Sequence, residues 1–362
     1  MKLFIILLFL LHGIIHIMGF LKAYKLAEIN QLTLSISKPF GVLWLLSCLL
    51  FLSVAFFVFL DMKWWWMPAL AAIIISQWVI ICTWNDAKYG TIPNTIILMV
   101  VLFAIASWNF NIQTDKEINN MLSQGEISEK SVITSQMLEP LPPLVQKWLT
   151  KVGVVGKEQI QSVSLKQIGI MKLKPEQKKW SKSLAEQYVT TNNPAFLWKV
   201  NMSMMPLVNV SGRDKFINGQ GTMKIRIASL IPVVNAPSND RINQSSLARY
   251  LMELPLYPTA AIHSYISWED LSDYSTKATI SYKGVSASAI FYFDQEGILR
   301  KVSAQRYKDS DESARLMTCI GELKENETIE GITIPTKIEI SWVLDSGLYT
   351  WYKLDISDVV FN

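Results

Sequence analysis

The sequence predicts two parts: an α-helical membrane bundle of four transmembrane helices, then an α+β domain built on a large curved antiparallel sheet, an incomplete β-barrel. Two observations carry this. Four uncharged apolar stretches fill the first 110 residues, running roughly from Leu3 to Phe20, Phe40 to Leu60, Trp64 to Thr83 and Ile92 to Phe110. Each is close to the roughly 20 residues that a helix needs to cross about 30 Å of hydrocarbon. After Phe110 the chain turns polar, rich in turn residues and patterned with period two, as a water-soluble β domain is.

Charge follows the same division. Before residue 111 there are six lysines (2, 22, 25, 38, 63 and 88) and three acids (Glu28, Asp61 and Asp86), whereas residues 111–362 hold 28 basic and 27 acidic side chains. The net charge of +4 therefore sits mostly in short loops beside the apolar segments. It does not form the clustered basic face that a nucleic-acid partner requires. Placing Lys22, Lys25, Lys38 and Lys88 in cytoplasmic loops satisfies the positive-inside rule better than the reverse arrangement, and an even number of spans then puts the C-terminal domain outside a bacterial cytoplasmic membrane. Cys48 and Cys82 lie in the apolar segments and Cys319 stands alone beyond them, so no disulfide framework is expected.

Two features of the first part are chemically suggestive. In HGIIH, His12 and His16 are four residues apart and share one helix face, the spacing that can hold a metal, a quinone or a cofactor head group. The same spacing suits a structural role, because polar side chains in a span turn toward neighbouring helices and hydrogen-bond there. In WNDAKYGTIPN, Trp84 and Tyr89 fit an interfacial belt, Thr91 or Asn94 can cap the next helix, and Pro93 fits its first turn. Asp86 and Lys88 are the polar candidates of that loop, able to form a mouth with His12 or His16 if those ends of the bundle coincide.

Residues 111–160 read as a helical juxtamembrane connector, broken at Gly125 and Pro140. Within it LPPLVQKWLTKVG opens a helix at Pro142 and Pro143, gives it an apolar face of Leu144, Trp148 and Leu149, and ends it at Gly153. Residues 161–362 read as the half-barrel, about ten strands long. GTMKIRI alternates Met223, Ile225 and Ile227 with polar neighbours after an Asn218-Gly219 turn, KATISYKGVSASAIFYF turns at Lys283-Gly284, and the last hairpin turns at Asp345 to Gly347. A helix near 245–256 interrupts the strands. Its Arg249 and Glu253 are one turn apart and form a predicted structural ion pair, while Tyr250, Tyr257 and Pro258 pack its end.

One face of such a sheet must be covered, by helices or by a ligand. Phe196, Trp198, Met202, Met204, Met205, Ile225, Ile227, Phe291 and Phe293 would line a soft interior suited to hydrophobic guests, and the same residues suit an ordinary core. Arg213 and Asp214 point to opposite faces of an extended strand. Arg213 then meets Glu253 or an anionic head group at the cavity mouth.

The segments VSGRDKFINGQGTMKIRIASLIPVVN, LARYLMELPLYPTAAI and IPTKIEISWVLDSGLYTWYKLDISDVVF together resemble an uncharacterised bacterial family of unknown function, over roughly residues 140–362. Its members often carry this soluble domain, sometimes behind a hydrophobic N-terminal region. The strand order, with AEQYVTTNNPAFLWKV leading into paired strands, is similar to the lipoprotein-carrier (LolA/LolB-like) half-barrel. That resemblance implies an open barrel whose concave apolar face, lidded by helices, receives acyl chains.

Motifs for catalysis are not found: no G-x-S-x-G, P-loop, dinucleotide fingerprint, H-E-x-x-H or C-x-x-C occurs, and His263 is the single histidine of the second part. No cofactor or metal is expected. The reading is thus a membrane-anchored extracytoplasmic protein that binds a lipid or a lipidated protein without catalysis. The alternatives are a membrane oxidoreductase subunit using the histidine-bearing bundle and a structural envelope-assembly protein.

Overall fold

The computed structural model describes residues 2–125, 131–205, 208–309 and 314–362, without the side chains of residues 204, 205 and 208. It divides into two compact units, Met1–Ile112 and Gln113–Asn362.

The first unit is built on α1 (Lys2–Ala23), α2 (Lys38–Phe59), α3 (Trp66–Cys82) and the beginning of α4 (Thr91–Gly125). Among the described residues three helical stretches are long and apolar enough to cross a membrane: α1, α2 and Trp84–Gly125, which adds a short turn of helix ahead of α4. The third apolar stretch of the sequence is shorter as a helix, at 17 residues. Trp64 and Trp65 fall in the preceding turn, and α3 starts only at Trp66. α1 and α2 pack closely because glycines face large rings: a Cβ on Gly19 would overlap the Trp44 indole at 2.1 Å, and one on Gly13 would meet Phe51 Cβ at 2.9 Å. Small residues at such crossings let helices approach where the hydrophobic effect gives no drive. Phe9, Phe51, Val54, Ala69, Ala72, Ile97 and Val101 fill the centre. Leu3, Leu7, Leu11, Phe56, Trp78 and Ile92 are exposed, an apolar exterior of the kind lipid contact favours.

The sequence breaks helices at Gly125, and α4 ends there, but it also ends the last span at Phe110, where the helix continues without interruption. In the second unit, Ile118, Met121 and Leu122 of α4 pack on Tyr188, Ala195, Leu197 and Ile217, and Asn192 Nδ2 donates to the Gly125 carbonyl, closing the helix end.

Among its described residues the second unit holds one thirteen-stranded antiparallel sheet. In chain order the strands are β1 (Ser162–Met171), β2 (Ser181–Thr190), β3 (Ala195–Met205), β4 (Val208–Ile217), β5 (Gln220–Ile227), β6 (Ile231–Ala236), β7 (Ile266–Ser272), β8 (Ser275–Tyr282), β9 (Val285–Phe293), β10 (Leu299–Tyr307), β11 (Leu316–Ile329), β12 (Ile332–Leu344) and β13 (Gly347–Phe361). Spatially β6 to β1 descend in order, β13 follows β1, and β12 to β7 continue to the other edge. All neighbours are thus hairpin partners except β1 and β13, which join the two halves of the chain. Edge strand β6 contains Pro232, a residue that an edge tolerates because it need not donate to a ladder. The expected turns are present: Asn218-Gly219 and Lys283-Gly284 carry positive φ at both residues (53° and 83°, 51° and 79°), the pattern of tight hairpins matched to strand twist. A Cβ on Gly219 would lie 2.7 Å from Lys283 Cβ, so these turns from opposite halves of the sheet meet, and the sheet curls back on itself.

Two helices occupy part of the concave face. α5 (Pro143–Lys151) ends before Gly153, whose φ is +83°, and its Trp148 packs on Trp268, Phe291 and Phe293 with ring centroids 6.0–6.3 Å apart. α6 (Asp240–Met252) is capped by Asn239, whose side chain accepts from Ile242 N. It touches β4 and β5 from one side and β8 to β10 from the other. Both contacts need small residues: a Cβ on Gly221 of β5 would meet Ser246 Oγ at 2.6 Å and the Ile242 carbonyl at 2.8 Å, and the cross-strand row Ala278, Ala289, Ala304 and Cys319 is buried on the other side.

After α6, Tyr250 and Tyr257 are fully buried; Tyr250 OH donates to the Thr190 carbonyl and Tyr257 OH to the Tyr250 carbonyl. Nearby His263 stacks on Tyr265 with centroids 4.9 Å apart, and burial pushes its pKa down to about 4. The neutral ring is favoured in the fold, so below the unfolded value of 6.5 the unfolded chain gains protons that the native one refuses, and stability is lost as pH falls from 6.5 toward 4. The loss across that window is expected to reach about 3 kcal/mol, read from chemical or thermal unfolding. His263→Gln is expected to flatten the curve; an unchanged slope refutes the assignment.

Candidate functional site

The concave face is divided. Toward β7 to β9 it is filled by α5 and α6, and toward β1, β3 to β6 and β10 to β13 it encloses a cavity of about 490 Å³. Register explains the lining, since residues paired across strands share a face. Ser183, Met202, Val210 and Ile227 form one row across β2 to β5; Ala185, Val200, Gly212 and Ile225 form the next; Gln187, Trp198, Asp214 and Met223 form the third. Opposite them lie Gly321, Leu323, Ile338, Ile340, Tyr352 and Leu354 from β11 to β13, and α6 closes the space with Ile242, Ser246, Arg249 and Met252. Gly212 and Gly321 leave room where other strands carry side chains.

A chain of polar side chains along this cavity is joined by hydrogen bonds. Arg249 Nη1 donates to Asp214 Oδ2 and its Nε to Glu253 Oε1, both at 2.8 Å. Glu253 Oε2 accepts from Gln187 Nε2 (2.6 Å), Gln187 Oε1 from Gln167 Nε2 (2.9 Å), and Gln167 Oε1 from Trp198 Nε1 (2.8 Å) and Tyr352 OH (3.2 Å). The Arg249 guanidinium lies over the Trp198 and Phe196 rings, 4.9 and 4.8 Å from their centroids. Burial opposes its charge, but Glu253 and Asp214 more than offset that and raise its pKa above the ordinary value. Burial likewise lifts the Tyr352 hydroxyl to about 12. The charges of Arg249, Asp214 and Glu253 thus neutralise one another beside a largely apolar lining, an arrangement that does not repel an apolar guest.

Trp198, Met202 and Ile225 line the cavity. Phe291 and Phe293 lie instead in the filled part of the face, buried against Trp148, because α5 covers their end of the sheet. The side chains of Met204 and Met205 lie outside the described residues. Arg249 and Glu253 pair as their spacing predicts. Arg213 belongs to the wall as part of β4, but its partner is neither Glu253 nor the mouth. Its guanidinium emerges on the opposite face and bonds Glu117 on α4 and Thr222 Oγ1, since strand alternation assigns Asp214 to the inside. Burial works against the Glu117 carboxylate, yet Arg213 and Lys215 outweigh it and hold its pKa below the usual range. The sequence reading missed Gln167, Gln187, Tyr352 and the β11 to β13 wall, whose proximity depends on the β1–β13 pairing, and Arg306, which bridges to the Ser245 carbonyl on α6.

In the first unit His12 and His16 are buried side by side, their rings 4.7 Å apart. His12 Nε2 bonds Asn94 Oδ1, His16 Nε2 bonds Ser76 Oγ and His16 Nδ1 bonds the His12 carbonyl, each at 2.8 Å. Asn94 Nδ2 reaches Ser76 and Gln77, and Gln77 reaches Thr91. His16 thus has no ring nitrogen left for a metal, and Asn94 acts as partner to His12 and Ser76 rather than as a cap. Asp86 and Lys88 do not join them: the Asp86 carboxylate accepts from Thr33 N, Thr33 Oγ1 and Leu34 N, pinning the loop between α1 and α2, and Lys88 Nζ sits over the Tyr89 ring. Among the described residues no three His, Cys, Asp or Glu side chains gather as a metal site.

An open antiparallel sheet curled around two helices and an apolar cavity, preceded in the chain by membrane-length helices, defines a class of architecture rather than an activity. The chain belongs to DUF6920, a family of unknown function, which it matches over residues 139–361, in agreement with the family resemblance seen in its segments. No curated protein matches it. Among solved structures it is similar to a LolA superfamily protein from Nitrosomonas europaea, with 13% identity over 64% of this chain and 94% of that one, at a TM-score of 0.35.

Proposed function

We propose that this chain is a membrane-anchored binding protein for a hydrophobic ligand, a lipid or a lipidated protein, which it holds by an acyl chain without chemical change. The cavity carries this reading: it is largely apolar, about 490 Å³ in volume, and the Arg249, Asp214 and Glu253 charges within it are paired with one another. At roughly 30 Å³ per water-sized group it takes on the order of sixteen such groups, enough for one long acyl chain. In this reading α3 is a fourth span, since 17 residues is the lower end of what crosses a bilayer. The lysines of the 21–39 and 84–91 loops then mark the cytoplasmic side and the sheet domain is extracytoplasmic. The histidine pair serves as a buried polar lock between helices.

The test is photo-crosslinking of full-length protein in nanodiscs with a diazirine-bearing fatty acid. Label is expected on peptides of β3, β5 and β13. Label confined to α1 to α4 would refute the proposal.

A further inference from the structure

One end of the sheet carries the tips of hairpins β5–β6, β1–β2 and β12–β13, and Lys172, Leu173, Val233 and Tyr349 at these tips border the cavity. Tyr349 OH donates to the Lys172 carbonyl at 2.7 Å, tying two of these tips together. The tips are unusually apolar for exposed turns: Leu173, Leu230, Ile231, Val233 and Leu348 are between 46% and 59% exposed. Exposed apolar side chains clustered on one rim mark a contact surface. The rim is also cationic. Residues 172–182 hold five lysines (172, 174, 178, 179 and 182) against Glu176, and the β12–β13 turn adds only Asp345, a net charge of +3 (five minus two). Trp180 lies beneath Lys172 and Lys353, 4.8 and 5.8 Å from their ammonium groups.

We propose that this rim docks on a bilayer surface rich in anionic phospholipid, with the apolar tips entering the head-group layer, so that the cavity mouth is presented to lipid. Apolar side chains interspersed with lysines and interfacial aromatics are what such a surface selects: the rings and aliphatic tips partition into the interface while the ammonium groups meet phosphate. A protein partner of opposite charge would need acidic residues placed opposite the lysines, but a lipid surface asks only for net positive charge and protruding apolar groups. The inference rests on the acyl-binding reading for its purpose, because docking the mouth lets a chain pass between bilayer and cavity without crossing water.

The experiment is flotation of full-length protein in phosphatidylcholine nanodiscs with vesicles of phosphatidylcholine alone or with phosphatidylglycerol replacing part of it. Co-flotation is expected to be about tenfold greater with the anionic vesicles and to fall as salt is raised. It should be lost in the combined Lys174→Glu, Lys178→Glu, Lys179→Glu variant and weakened about tenfold in Leu230→Ser with Ile231→Ser, a change that leaves every lysine in place. Equal recovery with neutral and anionic vesicles, no recovery at all, or a Leu230/Ile231 variant indistinguishable from wild type overturns the proposal. Photo-crosslinking with the diazirine fatty acid separates it from the functional reading: normal cavity labelling without flotation removes the rim alone, whereas flotation without cavity labelling removes the ligand and leaves the rim.

Discussion

Replacing Arg249 by Met is expected to destabilise the sheet domain by about 3–5 kcal/mol, the usual consequence of taking one partner from a buried ion pair. The side chain of Arg249 is 13% exposed, and Asp214 and Glu253 beside it are 9% and 16% exposed. Without the guanidinium the two carboxylates face each other across an apolar cavity with only Gln187 donating to one of them. They must then take up protons, admit water or push α6 away from β4. For a domain of this size the melting temperature should fall by roughly 6–20 °C, measured by near-ultraviolet circular dichroism of the full-length protein. The loss should also shrink at acidic pH, where the stranded carboxylates protonate, which a simple packing defect would not show. Removing all three charges together, as Arg249→Met with Asp214→Leu and Glu253→Leu, is expected to recover most of the stability, because no uncompensated charge remains. A triple variant as unstable as the single one would show that Arg249 works mainly through its stacking on Trp198 and Phe196.

Much of this architecture was legible in the residues. Asn218-Gly219 and Lys283-Gly284 announce their turns because only a few residue types tolerate positive φ, and Gly153 announces the end of α5 for the same reason. Arg249 and Glu253 find each other because helical spacing is a local rule. The structure has thirteen strands where the sequence predicts about ten; β6 contains Pro232, a residue that argues against a strand except at an edge. What failed depends on contacts distant in sequence. Nothing local says that Arg213 would be met by Glu117, 96 residues earlier, or that Asn94 would turn from helix capping to His12, 82 residues away. The cavity was legible only in part. Alternation identifies the inward residues of every strand equally, so Phe291 and Ile225 look alike from sequence. Which of them faces a helix and which faces space depends on where α5 and α6 lie over the sheet.

That distinction yields the sharpest test of the empty volume. Ile225→Trp is expected to cost little stability, within about 1 kcal/mol, while Ala289→Leu on the filled part of the same face should cost about 1–3 kcal/mol or more, the penalty for adding atoms to a packed interior. Ile225 is half-buried on β5, one strand in from the edge, and its neighbour in the row is Gly212, which offers no side chain to collide with an indole. Ala289 is 1% exposed in a row of alanines beneath α6. The ligand effect should run the other way. An indole at position 225 takes up a large share of a cavity sized for one chain, so labelling of the sheet by the diazirine fatty acid should drop at least about tenfold, a loss that needs only about 1.4 kcal/mol of binding free energy. Ala289→Leu should leave whatever protein remains folded fully competent. If the two substitutions destabilise the domain equally, the space beside Ile225 is not available to a ligand. If Ile225→Trp is stable yet labels normally, the acyl chain is held somewhere else.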